Sequence, residues 1–261
     1  ILECSVKDEK IIYNKNEWDF VTNYDQQIEK MFIKGLSKEF PDHKIIAEET
    51  VATMQKMPEL TDAPTWLLDP IDGTINFMHS FPQFCISIAL TVHKVPVLGI
   101  IYNPLSLEFY SAIKGKGAFL NGKPIHVSNI TDLKKAMLVL DPSAIKIVGK
   151  DKDIYAARVN ALIEATQVTR NFGSAALSLA YLARGIIDCF HLDNVLKPWD
   201  VAAGILIIRE AGGTVIDSKG AAYDIMKPNT TAAANENLAR EISTLIIDTD
   251  LKTQRKRLKR T

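Results

Sequence analysis

The run Asp69-Pro70-Ile71-Asp72-Gly73-Thr74 sets two carboxylates three residues apart, directly after the apolar segment Thr65-Trp66-Leu67-Leu68. Carboxylates at the end of a buried strand repel one another and are poorly solvated, so they require compensation. A hard divalent cation with oxygen ligands supplies it, and Mg²⁺ commonly takes a few carboxylates while keeping waters. Gly73 and Thr74, opening a turn or helix, offer backbone N–H groups and a hydroxyl to a phosphate. An Asx turn plus a helix cap would account for either aspartate alone. The pair followed by Gly-Thr favours the metal reading.

Two further acidic sites fit the same chemistry. Glu48-Glu49 follows the apolar Ile45-Ile46-Ala47, and Asp200 sits between Lys197-Pro198-Trp199 and the apolar Val201–Ile208. Taken singly, the glutamates fit a solvated turn, and Asp200 fits a helix-start acid favoured by the macrodipole. All three sites fall where a strand hands over to the next element, and layered α/β folds collect ligands at such junctions.

The elements that must position these residues follow from periodicity. Residues 25–40 predict a helix with Ile28, Met31, Phe32, Leu36 and Phe40 on one face, capped by Thr22 or Asn23. Lys44–Ala47 and Thr65–Leu68 predict short strands, with Pro70 stopping the second. Phe84–Val92, Val95–Tyr102 and Leu107–Ala112 predict successive strands, and Asn121-Gly122 a hairpin turn. Beyond residue 130 strands and helices alternate. Strands are predicted at Ala136–Leu140, Gln167–Phe172, Ile187–Leu192 and Thr214–Asp217. Helices are predicted at Asp151–Thr166, Ser174–Arg184, Trp199–Ala211 and Asn235–Ile247. The expected organisation is an α+β half with an antiparallel sheet over residues 1–130 and an α/β half over 131–261, joined in one catalytic unit.

Composition narrows the function classes. Of 261 residues 47% are hydrophobic, too many for a disordered chain, and 31 basic residues balance 31 acidic ones. That balance excludes a polyanion-binding surface spread over the whole protein. No stretch of about 18 uncharged apolar residues occurs, so no membrane span is expected. Ile1–Ser5 has neither the basic nor the apolar region of a signal peptide, and Cys4, Cys85 and Cys189 are odd in number. Free thiols and a cytoplasmic location are expected. The tail from Leu251 to Thr261 carries six basic residues. A solvated, frayed end is favoured over a nucleic-acid or nuclear-localisation role, because no aromatic residue is interleaved.

Asp69–Phe77 (DPIDGTINF), Glu48–Thr50 (EET) and Trp199–Gly204 (WDVAAG) together resemble the three signatures of the inositol monophosphatase family. Gly173-Ser174-Ala175-Ala176 and Glu210-Ala211-Gly212-Gly213 extend the resemblance over nearly the whole chain. It implies a five-layered αβαβα sandwich, a homodimer, and a lithium-sensitive phosphatase using two or three Mg²⁺ ions. It implies that Glu48, Asp69, Asp72 and the Ile71 carbonyl bind metal, and that Asp200 binds a second ion near the leaving oxygen. Thr74 with Glu48 would activate water, supported by Asp25, while Asp72 and the Gly73 and Thr74 amides would face the phosphate. Gly173, Ser174, Ala175, Asp193 and Asp200 would line the substrate alcohol, and Lys15 would ride on a loop over the metals. The implied reaction is in-line attack of a metal-activated water on a small phosphate monoester, foremost myo-inositol monophosphate.

Asp193 stands seven residues before Asp200, where many family members have a glutamate that binds sugar hydroxyls. Sugar-bisphosphate, histidinol-phosphate and 3′-phosphoadenosine 5′-phosphate phosphatases share the scaffold and stand as alternatives, with a non-catalytic binding module more distant. Cys189 and His191, two apart on a predicted strand, could bind zinc, but core packing is favoured without a second pair. Cys85 reads as a core residue, and Arg170 as either a phosphate contact or a strand-end arginine.

Overall fold

The structure is a computed structural model that describes residues 12–14 and 20–258. Lys15 and Cys4 lie outside the described residues. Strands β1 (Ile12–Asn14) and β2 (Phe20–Thr22) form an antiparallel pair. Helix α1 (Asn23–Glu39) opens with a capping box. Thr22 Oγ1 accepts from the Tyr24 and Asp25 amides, and Asp25 accepts in return from the Thr22 amide. Its apolar stripe differs by one position from the expected one. Phe32, Ile33 and Leu36 pack on Trp66, Leu68 and Ile88, while Met31 faces solvent.

The first sheet runs in chain order through seven strands. They are β3 (Lys44–Ala47), β4 (Thr65–Asp72), β5 (Cys85–Val92), β6 (Val95–Asn103), β7 (Glu108–Ile113), β8 (Ala118–Leu120) and β9 (Lys123–Pro124). Its pairs are antiparallel except β3–β4, which is parallel because helix α2 (Glu48–Met54) and its loop carry the chain back between them. Asn121 and Gly122 adopt positive φ in the β8–β9 turn, as a tight hairpin requires. Pro70 does not end its strand. β4 continues to Asp72, and a register shift against β5 between Asp69 and Asp72 absorbs the irregularity. A proline is tolerated inside a sheet where such a bulge removes the need for its missing N–H. Gly73, at φ 91°, then turns the chain into the short helix α3 (Thr74–Met78).

The second sheet holds β10 (Met137–Val139), β11 (Val168–Arg170), β12 (Cys189–Leu192), β13 (Thr214–Asp217) and β14 (Thr230–Ala233). Their spatial order is β11-β10-β12-β14-β13, with the first three parallel and β14 antiparallel to both neighbours. β14 is absent from the expected elements, since Thr-Thr-Ala-Ala shows neither alternation nor a large apolar residue. Helices α4 (Lys152–Ala165) and α7 (Glu236–Leu258) pack together, with α7 against β13 and β14. Helices α5 (Ala175–Ala183) and α6 (Pro198–Glu210), largely buried, fill the space between the sheets. With α1 outside the first sheet, the layers read αβαβα.

Two glycines permit the central packing. A Cβ on Gly99 would lie 2.8 Å from the Ala203 carbonyl oxygen of α6, and one on Gly204 would lie 2.6 Å from Leu179 Cβ of α5. The C-terminal helix departs from the expected frayed tail. It stays helical to Leu258, and Arg257 is bound by Asp151 and Asp153 at the start of α4. Among the described residues no helix is long and apolar enough to cross a membrane.

Candidate active site

β4 delivers Asp69 and Asp72 at its C-terminal end, and the first turn of α6 delivers Asp200 opposite them. Carboxylate oxygens of the three lie within 4.8 Å of one another. Each is held by backbone. Asp69 Oδ1 accepts from the Ile71 amide at 3.0 Å, the Asx turn expected of either aspartate alone. Asp200 Oδ2 accepts from the Lys197 amide at 2.7 Å, so this residue caps its helix while facing the cluster. Asp72 Oδ2 accepts from the Ala176 amide at 2.9 Å and from Ser174 Oγ, placing it at the N-terminus of α5.

Three aspartates this close, two of them buried and Asp200 half-buried, resist ionisation. Burial raises Asp69 well above the ordinary carboxylate range, with repulsion from Glu48, Asp72 and Asp200 adding to it. Burial also raises Asp200, reinforced by Asp72 and Glu48. Asp72 is pushed up to about 6, again chiefly by burial, while the bonds from Ser174 and Ala176 pull it back. A set of hard oxygen donors that cannot comfortably share negative charge is the donor set a divalent cation fits.

Glu48 is the first residue of α2 and is half-buried beside Asp69, with which it shares a hydrogen bond. Thr74, the first residue of α3, donates to the Ile71 carbonyl at 3.0 Å and reaches Asp25 Oδ1 at 3.4 Å. Asp25 is fully buried, its other oxygen committed to the cap of α1. The loop of Gly173 and Ser174 closes on Gly73, whose missing Cβ would lie 3.2 Å from both the Gly173 carbonyl and Ser174 Cβ. Gly173, Ser174 and Ala175 line a cavity of about 180 Å³ with Asp72 and Asp200. The Ser174 hydroxyl donates to Asp72.

Asp193 directly follows β12. Its side chain is fully buried, and Oδ2 is paired with Arg158 Nη1 at 2.8 Å. Arg158 binds Asp250 of α7 on its other edge. The other Asp193 oxygen, Oδ1, is buried without a hydrogen-bond partner among the described residues. The rest of the cavity is lined by Val139, Leu140, Phe190, Leu192 and Leu196 together with Asp141, Asn171 and Ser178. Cys189 packs in the core, and His191 meets Thr231 through Nδ1 at 3.1 Å. Cys85 is buried as expected but touches the site, its Sγ 3.7 Å from Asp72 Oδ2. Arg170 is exposed and bonds its neighbour's carbonyl.

Sequence reasoning missed Glu29, Arg158 and Asp250. Asp25-x-x-x-Glu29 is a readable signal, since residues four apart share one helix face. Arg158 and Asp250 are 92 residues apart and carry no local signature.

A layered α/β sandwich with an acidic cluster at the strand ends defines a scaffold that can gather a cation. The sequence profile of the inositol monophosphatase family matches residues 1–248. Inositol monophosphatase 3 of Solanum lycopersicum is 43% identical over 232 residues, 88% of this chain and 84% of the relative. Among solved structures, extragenic suppressor protein suhB from Bartonella henselae superposes with a TM-score of 0.79 at 33% identity, covering 91% of this chain and 88% of that one. An IMPase from Thermotoga maritima gives 0.80 at 30% identity, covering 96% and 92%. The chain belongs to the inositol monophosphatase family, and is a phosphoric monoester hydrolase. The family is metal-dependent, and the aspartate triad could hold such an ion.

Proposed function

We propose that this enzyme hydrolyses small phosphate monoesters, foremost myo-inositol monophosphate, with Mg²⁺ as the cation. The observation that carries the reading is the convergence of Asp69, Asp72 and Asp200 within 4.8 Å. Glu48, Asp69, Asp72 and the Ile71 carbonyl would hold metal, and Asp200 would share a second ion. When bound, such ions neutralise phosphate charge and lower the pKa of coordinated water.

The chain's own residues supply the rest. Thr74 Oγ1, bonded to Asp25 and Ile71, would orient a water. Glu48, adjacent to Asp69, would take the proton. Gly73, whose left-handed conformation leaves its amide and that of Thr74 at the start of α3, would bind phosphate oxygens. Gly173, Ser174 and Ala175 would border the alcohol, with Asp200 beside its leaving oxygen. Lys15 is kept as a proposed loop residue over the metals.

A second reading, a different small phosphorylated alcohol, is favoured by one observation. Asp193 is paired with Arg158 and does not line the cavity, where Asp141, Asn171 and Ser178 stand among Val139, Leu140, Phe190, Leu192 and Leu196. Phosphate release measured on inositol, sugar-bisphosphate, histidinol and 3′-nucleotide phosphates decides between the readings. Fastest turnover of inositol monophosphate supports the first, and a marked preference elsewhere supports the second.

We also propose lithium inhibition and a homodimer. Exposed Phe81, Leu107 and Phe109 are apolar surface that a partner copy could cover. Buried free thiols at Cys85 and Cys189 accord with a cytoplasmic location.

A further inference from the structure

Helix α2, which begins at Glu48, lacks the usual cap. Its N-cap residue is Ala47, which has no side-chain acceptor for the first amides. The acceptor comes from another element. Glu29 of α1 takes the Glu49 amide at 2.7 Å through one oxygen. Through the other it takes the Thr50 amide at 2.8 Å and Thr50 Oγ1 at 2.6 Å. Glu29 is itself buried, so its carboxylate has exchanged water for these three donors.

α1 thereby fixes both parts of the proposed water-activating pair. Asp25 holds Thr74, and Glu29, one turn later on the same face, holds the helix that presents Glu48. Both carboxylates are buried and both are set by one rigid helix, so Glu48 and Thr74 are referenced to a common frame. We propose that Glu29 is a positioning residue that fixes Glu48 for metal binding and water activation. The proposal rests on the reading of Glu48, Asp69, Asp72 and Asp200 as a Mg²⁺ site.

The test uses Glu29→Gln, Glu29→Asp and Thr50→Val in the full chain. Gln keeps one acceptor but turns an amide N–H₂ toward a backbone N–H, which displaces the start of α2. Mg²⁺ affinity is measured by calorimetry at a temperature where circular dichroism shows each variant folded. Phosphate release is then followed at saturating Mg²⁺ on two substrates. Glu29→Gln should weaken Mg²⁺ about tenfold and lower kcat ten- to hundredfold, by the same factor on both substrates and with KM nearly unchanged. Glu29→Asp should recover part of both losses. Thr50→Val, which leaves the amide bonds in place, should lose less than Glu29→Gln. Wild-type Mg²⁺ affinity and kcat in a Glu29→Gln protein with only a lowered Tm would overturn the proposal, leaving Glu29 a stabilising cap. Asp69→Asn serves as the control. If it too binds Mg²⁺ like wild type, the metal-site reading has failed rather than the role of Glu29.

Discussion

Asp69, Asp72 and Asp200 carry the burden of the site, and their substitution should separate chemistry from folding. Asp69→Asn or Asp200→Asn removes one of three mutually repelling charges without loss of volume. Each is expected to lower kcat by two or more orders of magnitude while leaving the circular dichroism unchanged. Turnover within a few-fold of wild type in both variants would contradict the assignment. The raised carboxyl groups also predict a pH dependence for the metal-free protein. The folded chain holds protons that the unfolded chain has released above about pH 4, so it binds more protons than the unfolded state does. The contribution of Asp72 to stability is therefore largest below about pH 4 and falls as pH rises through about 6. Urea unfolding of wild type and Asp72→Asn in chelator from pH 4 to 7 should show wild type losing ground to the variant as pH rises. Parallel curves would show that the cluster is not strained by charge. At this scale the sequence was informative where carboxylates follow apolar strands. The pairing of Asp193 with Arg158, 35 residues away, leaves no trace in local spacing.

At the scale of elements, one arginine ties three pieces of chain together. Arg158 on α4 binds Asp193 after β12 and Asp250 on α7, with little of any of the three exposed. Removing a partner from a buried ion pair leaves an uncompensated charge, which costs about 3–5 kcal/mol. Arg158→Ala should therefore lower stability in urea by about that amount, with Asp193→Asn costing less because an amide can still accept from the guanidinium. A loss below about 1 kcal/mol in Arg158→Ala would mean that solvent already screens the cluster. Most elements were legible: the α1 cap at Thr22, the hairpin at Asn121-Gly122 and the helix ahead of Gly212 all carry local chemistry. β14 and the extension of α7 were not. The first is set by its neighbours β12 and β13, and the second by pairing of Arg257 with Asp151 and Asp153.

Across the whole molecule, the acidic centre lies where the two sheets and the helices between them meet, so cation binding should report on the global fold. A ligand bound only by the native state at about a hundred times its Kd stabilises by about 2.7 kcal/mol. Saturating Mg²⁺ should raise Tm, and Asp69→Asn should abolish most of that rise. The most direct test is phosphate release from myo-inositol monophosphate by the purified enzyme, first stripped with chelator and then titrated with Mg²⁺. Turnover should vanish on stripping, return with added Mg²⁺, and fail to return in Asp200→Asn. Full turnover in chelator, or full recovery in Asp200→Asn, would contradict a catalytic centre built on these carboxylates.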